Sequence, residues 1–317
     1  MNNITIIRPS SREEWLEVRK SGIGSSEVAT IVGLNPWETP YQLWRRKLGI
    51  DEPKQESAAM RNGHHLEEAV SRMWNDATGR EIIKRSAIDW IIRDNDRPFL
   101  QVSPDRTYWL TEDSRANDNK GILEIKTTRM KVDPEDLPKY WFCQVQYQLG
   151  VAGYNQGSLA WLSAGPQGFD FGYQDLKFVQ EFYDWLIECV SRFWTDNIIG
   201  KQEPQAVNVA DVLLKYNRHT DRKIIECSDE VFEAYQELKE VKKEIKALEE
   251  RQEACEAKIK MAFEDAEALS YGGDTIATWK APKPSKKFDA KAFQAEHPDI
   301  AEPYVKESQG ARRFLLK

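Results

Sequence analysis

Gly121-Ile-Leu-Glu-Ile-Lys-Thr-Thr128 reads as one β-strand carrying two charges among β-branched and apolar residues. Side chains alternate along a strand, so Glu124 and Lys126 share a face while Leu123 and Ile125 point into a core. Upstream, Ser103-Pro-Asp105 closes the apolar run Pro98-Phe-Leu-Gln-Val102, a second strand. Two carboxylates and an ammonium on neighbouring strands make a site for a hard divalent cation with a cationic helper, which is phosphodiester-hydrolysis chemistry. The cation, Mg²⁺ or Mn²⁺, takes oxygen ligands and lowers the pKa of a bound water. Lys126 then orients that water or stabilises developing charge. By itself the pattern equally suits an exposed strand face with a chance Glu and Lys.

Working outward, residues 10 to about 205 read as one mixed α/β domain. A short amphipathic helix over Trp15–Lys20 precedes the turn Gly22-Ile-Gly-Ser-Ser26 and a second helix over Glu27–Val32. Asn35-Pro36-Trp37 breaks the pattern, Thr39-Pro40 opens a helix through Lys47, and Gly49 is its stop. A longer helix runs from about Ser57 to Thr78 and ends at Gly79. Strands are predicted at Glu81–Lys84, Asp89–Arg93, Phe99–Val102 and Ile122–Thr127, with a polar loop over Thr111–Lys120. Pro138–Val151 reads as helix, Ser158–Leu162 as strand and Lys177–Ile198 as an aromatic-rich helix.

Composition then changes. Ala206–Asp221 reads as a connector. From 229 to 268 apolar residues such as Leu238, Ile245, Leu248 and Ile259 keep 3-and-4 spacing in a highly charged stretch, interrupted by Gln252. This is a long solvated helix or helix pair with a narrow seam. Residues 269–317 form a Lys-rich tail with a strand over Thr275–Lys280. The predicted domains are thus 1–205 and 206–317. Arg312 and Arg313 near the end suit either a contact with DNA or a partner, or a solvated tail.

Three further groups bear on the chemistry. Gly63-His-His-Leu-Glu67 lies on the helix before the strands, where an additional metal-binding carboxylate belongs. Glu67 and Glu68 point about 100° apart, so one faces the site; Glu67 sits beside the apolar face set by Ala59, Leu66, Val70 and Met73 or Trp74. Two surface carboxylates on a solvated helix give the same pattern. Arg19 with the turn Gly22–Ser26 offers a guanidinium, the hydroxyls of Ser25 and Ser26 and free backbone N–H groups to a terminal phosphate; a plain Ser N-cap beside a surface Arg also fits. Gln144 and Gln148 share a face of Tyr140-Trp-Phe-Cys-Gln-Val-Gln-Tyr-Gln-Leu-Gly150, as active-site amides or as polar decoration of a core helix.

The 317 residues, 40% hydrophobic and 31% charged, suit a soluble globular protein. No apolar run is of membrane-spanning length and the N-terminus lacks a signal peptide. Four scattered cysteines and four histidines argue for reduced cytosolic thiols and against a structural zinc or an iron–sulfur cluster. A net charge of −7 counts against a globally basic nucleic-acid binder and leaves room for a local basic groove.

In order along the chain stand Arg19, Gly-Ile-Gly-Ser-Ser-Glu-Val28, Gly63…Glu67, Ser-Pro-Asp105, Leu-Glu-Ile-Lys126 and Gln-Val-Gln-Tyr147. Together they resemble the YqaJ-type viral recombinase family, which is similar to the phage lambda exonuclease within the PD-(D/E)XK nuclease superfamily. The resemblance covers roughly residues 10 to 165. It implies an α/β restriction-endonuclease-like core, a central mixed β-sheet flanked by helices. It also implies a Mg²⁺-dependent 5′→3′ exonuclease acting on double-stranded DNA ends in phage-type recombination, cytoplasmic in a bacterial host. A related endonuclease, a RecB-like nuclease and a catalytically silent DNA-binding protein are the alternatives. The resemblance implies metal ligands at Asp105, Glu124 and the carbonyl of Ile125. It gives Lys126 as catalytic lysine, Glu67 as helix carboxylate, Gln144 as active-site glutamine, and Arg19 with Ser26 as phosphate anchor. A trimeric ring and a single-strand annealing partner of the RecT or Red-beta kind are implied too. The tail over 206–317 has no counterpart in the short lambda enzyme, which leaves the trimer open.

Overall fold

The computed structural model describes residues 3–51, 57–83, 90–111, 119–165, 168–286, 288–305 and 312–316. Strand β1 (Ile4–Ile7) leads into three short helices, α1 (Arg12–Lys20), α2 (Ser25–Ile31) and α3 (Pro40–Lys47), and then the long α4 (Ala58–Thr78). Strands β2 (Ile91–Asp94), β3 (Gln101–Val102), β4 (Arg106–Trp109) and β5 (Lys120–Thr128) follow. Next come α5 (Lys139–Ala152), β6 (Gln156–Gly165), β7 (Gly168–Lys177) and α6 (Gln180–Arg192), which runs on as a π-helical turn over Phe193–Ile199. Helix α7 (Val209–Lys215) ends the first of two compact units, residues 1–215 and 216–317.

The helix boundaries follow from capping chemistry. Ser11, Thr39 and Ser57 each accept a first-turn backbone N–H, and Thr39 forms a reciprocal capping box with Gln42 ahead of Pro40. Gly79 closes α4 at φ 68°, a left-handed conformation that costs a residue with a Cβ.

The central sheet has the order β4-β5-β6-β7. Its middle pair is parallel and both outer pairs are antiparallel, with α5 as the crossover. Both faces of β5 are covered. Leu123 and Ile125 pack with Ala160 and Leu162 against Val70 and Trp74 of α4. Ile122, Leu159 and Trp161 join Val145 and Leu149 of α5 and Leu186 and Val190 of α6 on the opposite side. The result is a mixed sheet between helical layers, the expected core architecture. A smaller antiparallel sheet, β1-β2-β3, is tied to α2 through a bridge between Ile23 and Leu100.

Several predicted elements shift. Strands β1, β4 and β7 were not anticipated; β7 alternates Phe169, Phe171 and Tyr173 but is mostly exposed (Gly168–Lys177). Around the predicted strand Glu81–Lys84 the described residues make one bridge, Ile82 to Tyr108, and Lys84 lies outside them, as do Asp89 and most of the predicted loop, residues 112–118. On α4 Trp74 takes the core position, whereas Met73 and Ala59 are exposed. Lys177–Ile198 splits, because β7 claims Lys177 and the helix starts at Gln180. The connector contains α7, whose buried Asp211 accepts from Thr39 Oγ1 at 2.9 Å and Gln42 Nε2 at 3.0 Å. That tie carries the first unit to residue 215, past the predicted 205.

In the second unit residues 229–261 form a single helix, α8 (Asp229–Met261), started by Ser228. A hairpin of β8 (Ala268–Tyr271) and β9 (Asp274–Thr278) follows, then α9 (Ala290–Glu296) and α10 (Pro298–Ala301). Phe263 is buried, edge-on to Trp279.

Candidate active site

Strand β4 begins at Arg106, which pairs with Leu123, so Asp105 lies just off its end beside β5. There Asp105 Oδ2 accepts the backbone N–H of Ile125 at 2.7 Å. The N–H and C=O of one strand residue point to the same edge, so the carbonyl of Ile125 is also on the Asp105 side.

Glu124 is 2% exposed and turned towards α5. Its Oε1 accepts from Lys126 Nζ at 2.6 Å and from Gln144 Nε2 at 2.5 Å, and its Oε2 from Gln148 Nε2 at 2.7 Å. Lys126 Nζ also donates to Gln144 Oε1 at 2.9 Å. The i, i+4 spacing of Gln144 and Gln148 sets both amides over one carboxylate, one oxygen each. Burial works against the charge on Lys126, but the carboxylates of Glu124 and Asp105 outweigh it and raise its pKa. Asp105 is pushed well above the usual carboxylate range, first by burial and then by the charge of Glu124; Glu67 adds to the repulsion while Lys126 opposes it.

That field distinguishes Glu67 from Glu68. Glu67 acts on Asp105 and lies 3.0 Å from His64 Nδ1, whereas Glu68 pairs with Arg72 at 3.0 Å and Arg106 at 3.4 Å. Leu66 and Val70 pack α4 on the sheet and carry Glu67 to the end of β5. Among the described residues no group of three or more His, Cys, Asp and Glu side chains is arranged to hold a metal ion as it stands. The donor types nonetheless fit a hard divalent cation: carboxylate oxygens of Asp105 and Glu124, with the carbonyl of Ile125 on the same edge.

Arg19 reaches the first turn of α2, donating from Nη2 to Ser26 Oγ at 3.1 Å and lying over the ring of Trp15. A Cβ on Gly24 would meet this guanidinium and displace it from its present position. Two backbone N–H groups of the expected anion cradle are taken within the fold, however. Gly24 N–H donates to Glu27 Oε2 at 2.8 Å and Ile23 N–H to Phe99 O at 2.7 Å. Ser25 also departs from expectation: it is buried, and its Oγ accepts from Gln148 Nε2 at 3.2 Å, away from Arg19. Adjacent residues on a helix point about 100° apart, so the two serines serve different neighbours.

A cleft of about 420 Å³ opens at this place, lined by Ser26, Lys126 and Gln144 together with Trp37, Met130 and Tyr140. Trp37 and Tyr140 meet edge-on at 5.1 Å. Sequence reading left Trp37, Tyr140 and Glu27 without a role and did not assign Gln148 to the site; the pairing of Gln148 with Gln144 was the one signal.

The model of the YqaJ-like viral recombinase domain matches residues 14–155. Protein YqaJ of Bacillus subtilis (strain 168) is 31% identical over 318 residues, spanning 97% of this chain and 94% of that protein. Among solved structures, the alkaline exonuclease LHK-Exo of Laribacter hongkongensis is similar at 16% identity, over 59% of this chain and 93% of its own, with a TM-score of 0.43. A phage related exonuclease from Haemophilus somnus 129PT is similar at 14% identity, over 57% of this chain and 96% of its own, with a TM-score of 0.41. By its sequence kinship with YqaJ across almost its whole length, the chain belongs to the YqaJ-like viral recombinase family.

Proposed function

We propose that the chain is a divalent-metal-dependent 5′→3′ exonuclease that resects double-stranded DNA ends for phage-type recombination. The observation that carries this is the convergence of Asp105, Glu124, Lys126 and Gln144 around the middle of β5. Such a set is costly to assemble for packing alone, since it gathers buried like charges. Family membership supports a DNA substrate.

Asp105, Glu124 and the carbonyl of Ile125 would hold Mg²⁺ or Mn²⁺, with Glu67 at the rim. Bound there, the cation supplies Lewis acidity and an acidified water. Lys126 and Gln144 orient the attacking water and the scissile phosphate, and Lys126 offsets the negative charge that develops on the phosphoryl oxygens. Arg19 and Ser26 anchor a terminal 5′-phosphate in the cleft beside Lys126 and Gln144, which favours attack counted from that end. The side chains of Trp37 and Tyr140 offer the cleft an aromatic wall for a nucleobase. The same reading gives a cytoplasmic enzyme, oligomeric, that hands its 3′ single strand to an annealing protein of the RecT or Red-beta type. Among the described residues no helix is long and apolar enough to cross a membrane.

The test is digestion of linear duplex DNA with Mg²⁺, comparing 5′-phosphate with 5′-hydroxyl ends, beside closed circular DNA. Loss of the linear substrate alone, faster from the phosphate, supports the proposal. Cutting of the circle replaces it with an endonuclease, and DNA binding without cleavage replaces it with a binding protein.

A further inference from the structure

Helix α8 is 33 residues long and none of its residues is buried, although apolar side chains run its whole length. Ile245 is 49% exposed and Leu248 63%. A polar-faced helix of this length with an uncovered apolar seam lacks the packing that normally stabilises it. The seam is a strict heptad. One set of positions is Val231, Leu238, Ile245, Gln252 and Ile259; the other is Ala234, Val241, Leu248, Cys255 and Ala262. Only Gln252 is polar, and the alternating steps of three and four are those of a two-helix coiled coil.

We propose that α8 pairs with α8 of a second copy of this chain, antiparallel, about a two-fold axis between Lys246 and Ala247. The charges flanking the seam select both the occupant and the direction. Centred there, Ile245 faces the partner's Leu248, Leu238 faces the partner's Cys255, and Gln252 faces the partner's Val241. On one flank Glu244 then meets the partner's Arg251, and Glu237 meets the partner's Lys258. On the other flank Lys242 meets the partner's Glu249. All three pairs are opposite in sign, and the two-fold axis forms each of them twice. A parallel, in-register pair keeps two opposite pairs, Glu237 with the partner's Lys242 and Arg251 with the partner's Glu256, but sets Glu244 against the partner's Glu249, like against like. The antiparallel direction is therefore the one in which every charged flanking pair is opposite in sign. This proposal stands on the second unit alone and does not depend on the nuclease reading.

The test uses the full-length protein in sedimentation equilibrium. Wild type should carry twice the mass of Ile245→Glu, with the melting of the first unit unchanged. An equal mass for the two proteins overturns the proposal. Glu244→Arg should raise the dissociation constant of the pair roughly threefold to tenfold, a range set by the modest worth of exposed ion pairs, and adding Arg251→Glu should restore it. Tighter association of Glu244→Arg overturns the antiparallel direction. In a Cys227→Ser background, a short bis-maleimide should join Leu238→Cys to the partner's Cys255, read by mass spectrometry of the linked peptides. In the wild-type seam the two Cys255 residues stand about 25 Å apart along the axis, at 1.5 Å per residue, and should not be joined. A Cys255-to-Cys255 product in that background overturns the register.

Discussion

Gln148 donates its amide to Glu124 Oε2 at 2.7 Å, and the same nitrogen stands 3.2 Å from Ser25 Oγ. Its neighbour in sequence from Ser25, Ser26, holds Arg19 at 3.1 Å. The first turn of α2 thus supports the buried carboxylate with one hydroxyl and the guanidinium with the next. In the proposed reaction this fixes the spacing between the phosphate anchor and the metal-binding carboxylate.

Replacing Gln148 by Met keeps the volume and removes the donor. One oxygen of a buried carboxylate then loses its partner, at a cost of about 1–3 kcal/mol in unfolding free energy. A misaligned Glu124 should also lower nuclease turnover and apparent metal affinity by about 10- to 100-fold, the usual effect of losing a group that orients a ligand. Urea unfolding and a metal titration of the cleavage rate read the two effects separately. Unchanged metal dependence would reduce Gln148 to a packing residue.

Lys126→Ala removes the ammonium that sits 2.6 Å from Glu124 and 2.9 Å from Gln144. Cleavage should fall by about 100-fold or more, the scale of losing one charge-stabilising donor. Binding of duplex DNA, followed by fluorescence anisotropy, should persist. A variant that still cuts at a comparable rate removes Lys126 from the chemistry.

Arg19→Ala should abolish the preference for 5′-phosphorylated over 5′-hydroxyl ends while leaving cleavage of the hydroxyl substrate near wild type. The Arg19–Ser26 pair faces the substrate end in this reading. An end preference that survives the substitution would sink the assignment.

The strand Lys120–Thr128 and its charged pair were legible because alternation is a local property of the chain, and both faces of β5 bear it out in packing. The place of Glu67 beside the buried face of α4 was legible for the same reason, since Leu66 and Val70 mark that face. What resisted reading is what topology creates. Gln148 meets Ser25, and Asp211 meets Thr39, across more than a hundred residues. At the turn Gly22–Ser26, nothing local shows that Phe99 takes the N–H of Ile23, whereas the capping of Gly24 N–H by Glu27 three residues on is a local feature the reading passed over.

Glu27 is buried, 2.8 Å from Lys47 Nζ and 3.1 Å from Arg46 Nη1. Burial opposes its charge, yet the cations of Lys47, Arg19 and Arg46 prevail and hold its pKa below the ordinary value. A carboxylate with a folded pKa below the unfolded one stabilises the fold above its unfolded pKa, about 4.3, and loses that contribution as pH falls through the folded value. Glu27→Gln should therefore be less stable than wild type by about 3 kcal/mol at pH 7, the scale of breaking a buried pair. Below about pH 4 the gap should narrow. Urea unfolding at pH 7, 5 and 3.5 checks this; a gap independent of pH would assign the effect to packing.

Trp37 is 65% exposed, held edge-on by Tyr140, and lines the same cleft as Lys126, Gln144 and Ser26. An indole this exposed contributes little to folding, so its substitution isolates a binding effect. Stacking of a base on an aromatic ring is worth about 1–3 kcal/mol and is indifferent to sequence, as digestion of arbitrary DNA ends requires. Trp37→Ala should raise KM roughly fivefold to a hundredfold with kcat little changed, and Trp37→Phe should recover most of the loss. Steady-state digestion of a short duplex with a fluorescent terminal base measures both constants. A fall in kcat at constant KM would mean that Trp37 positions the cleft wall around Tyr140, and the stacking role would be lost.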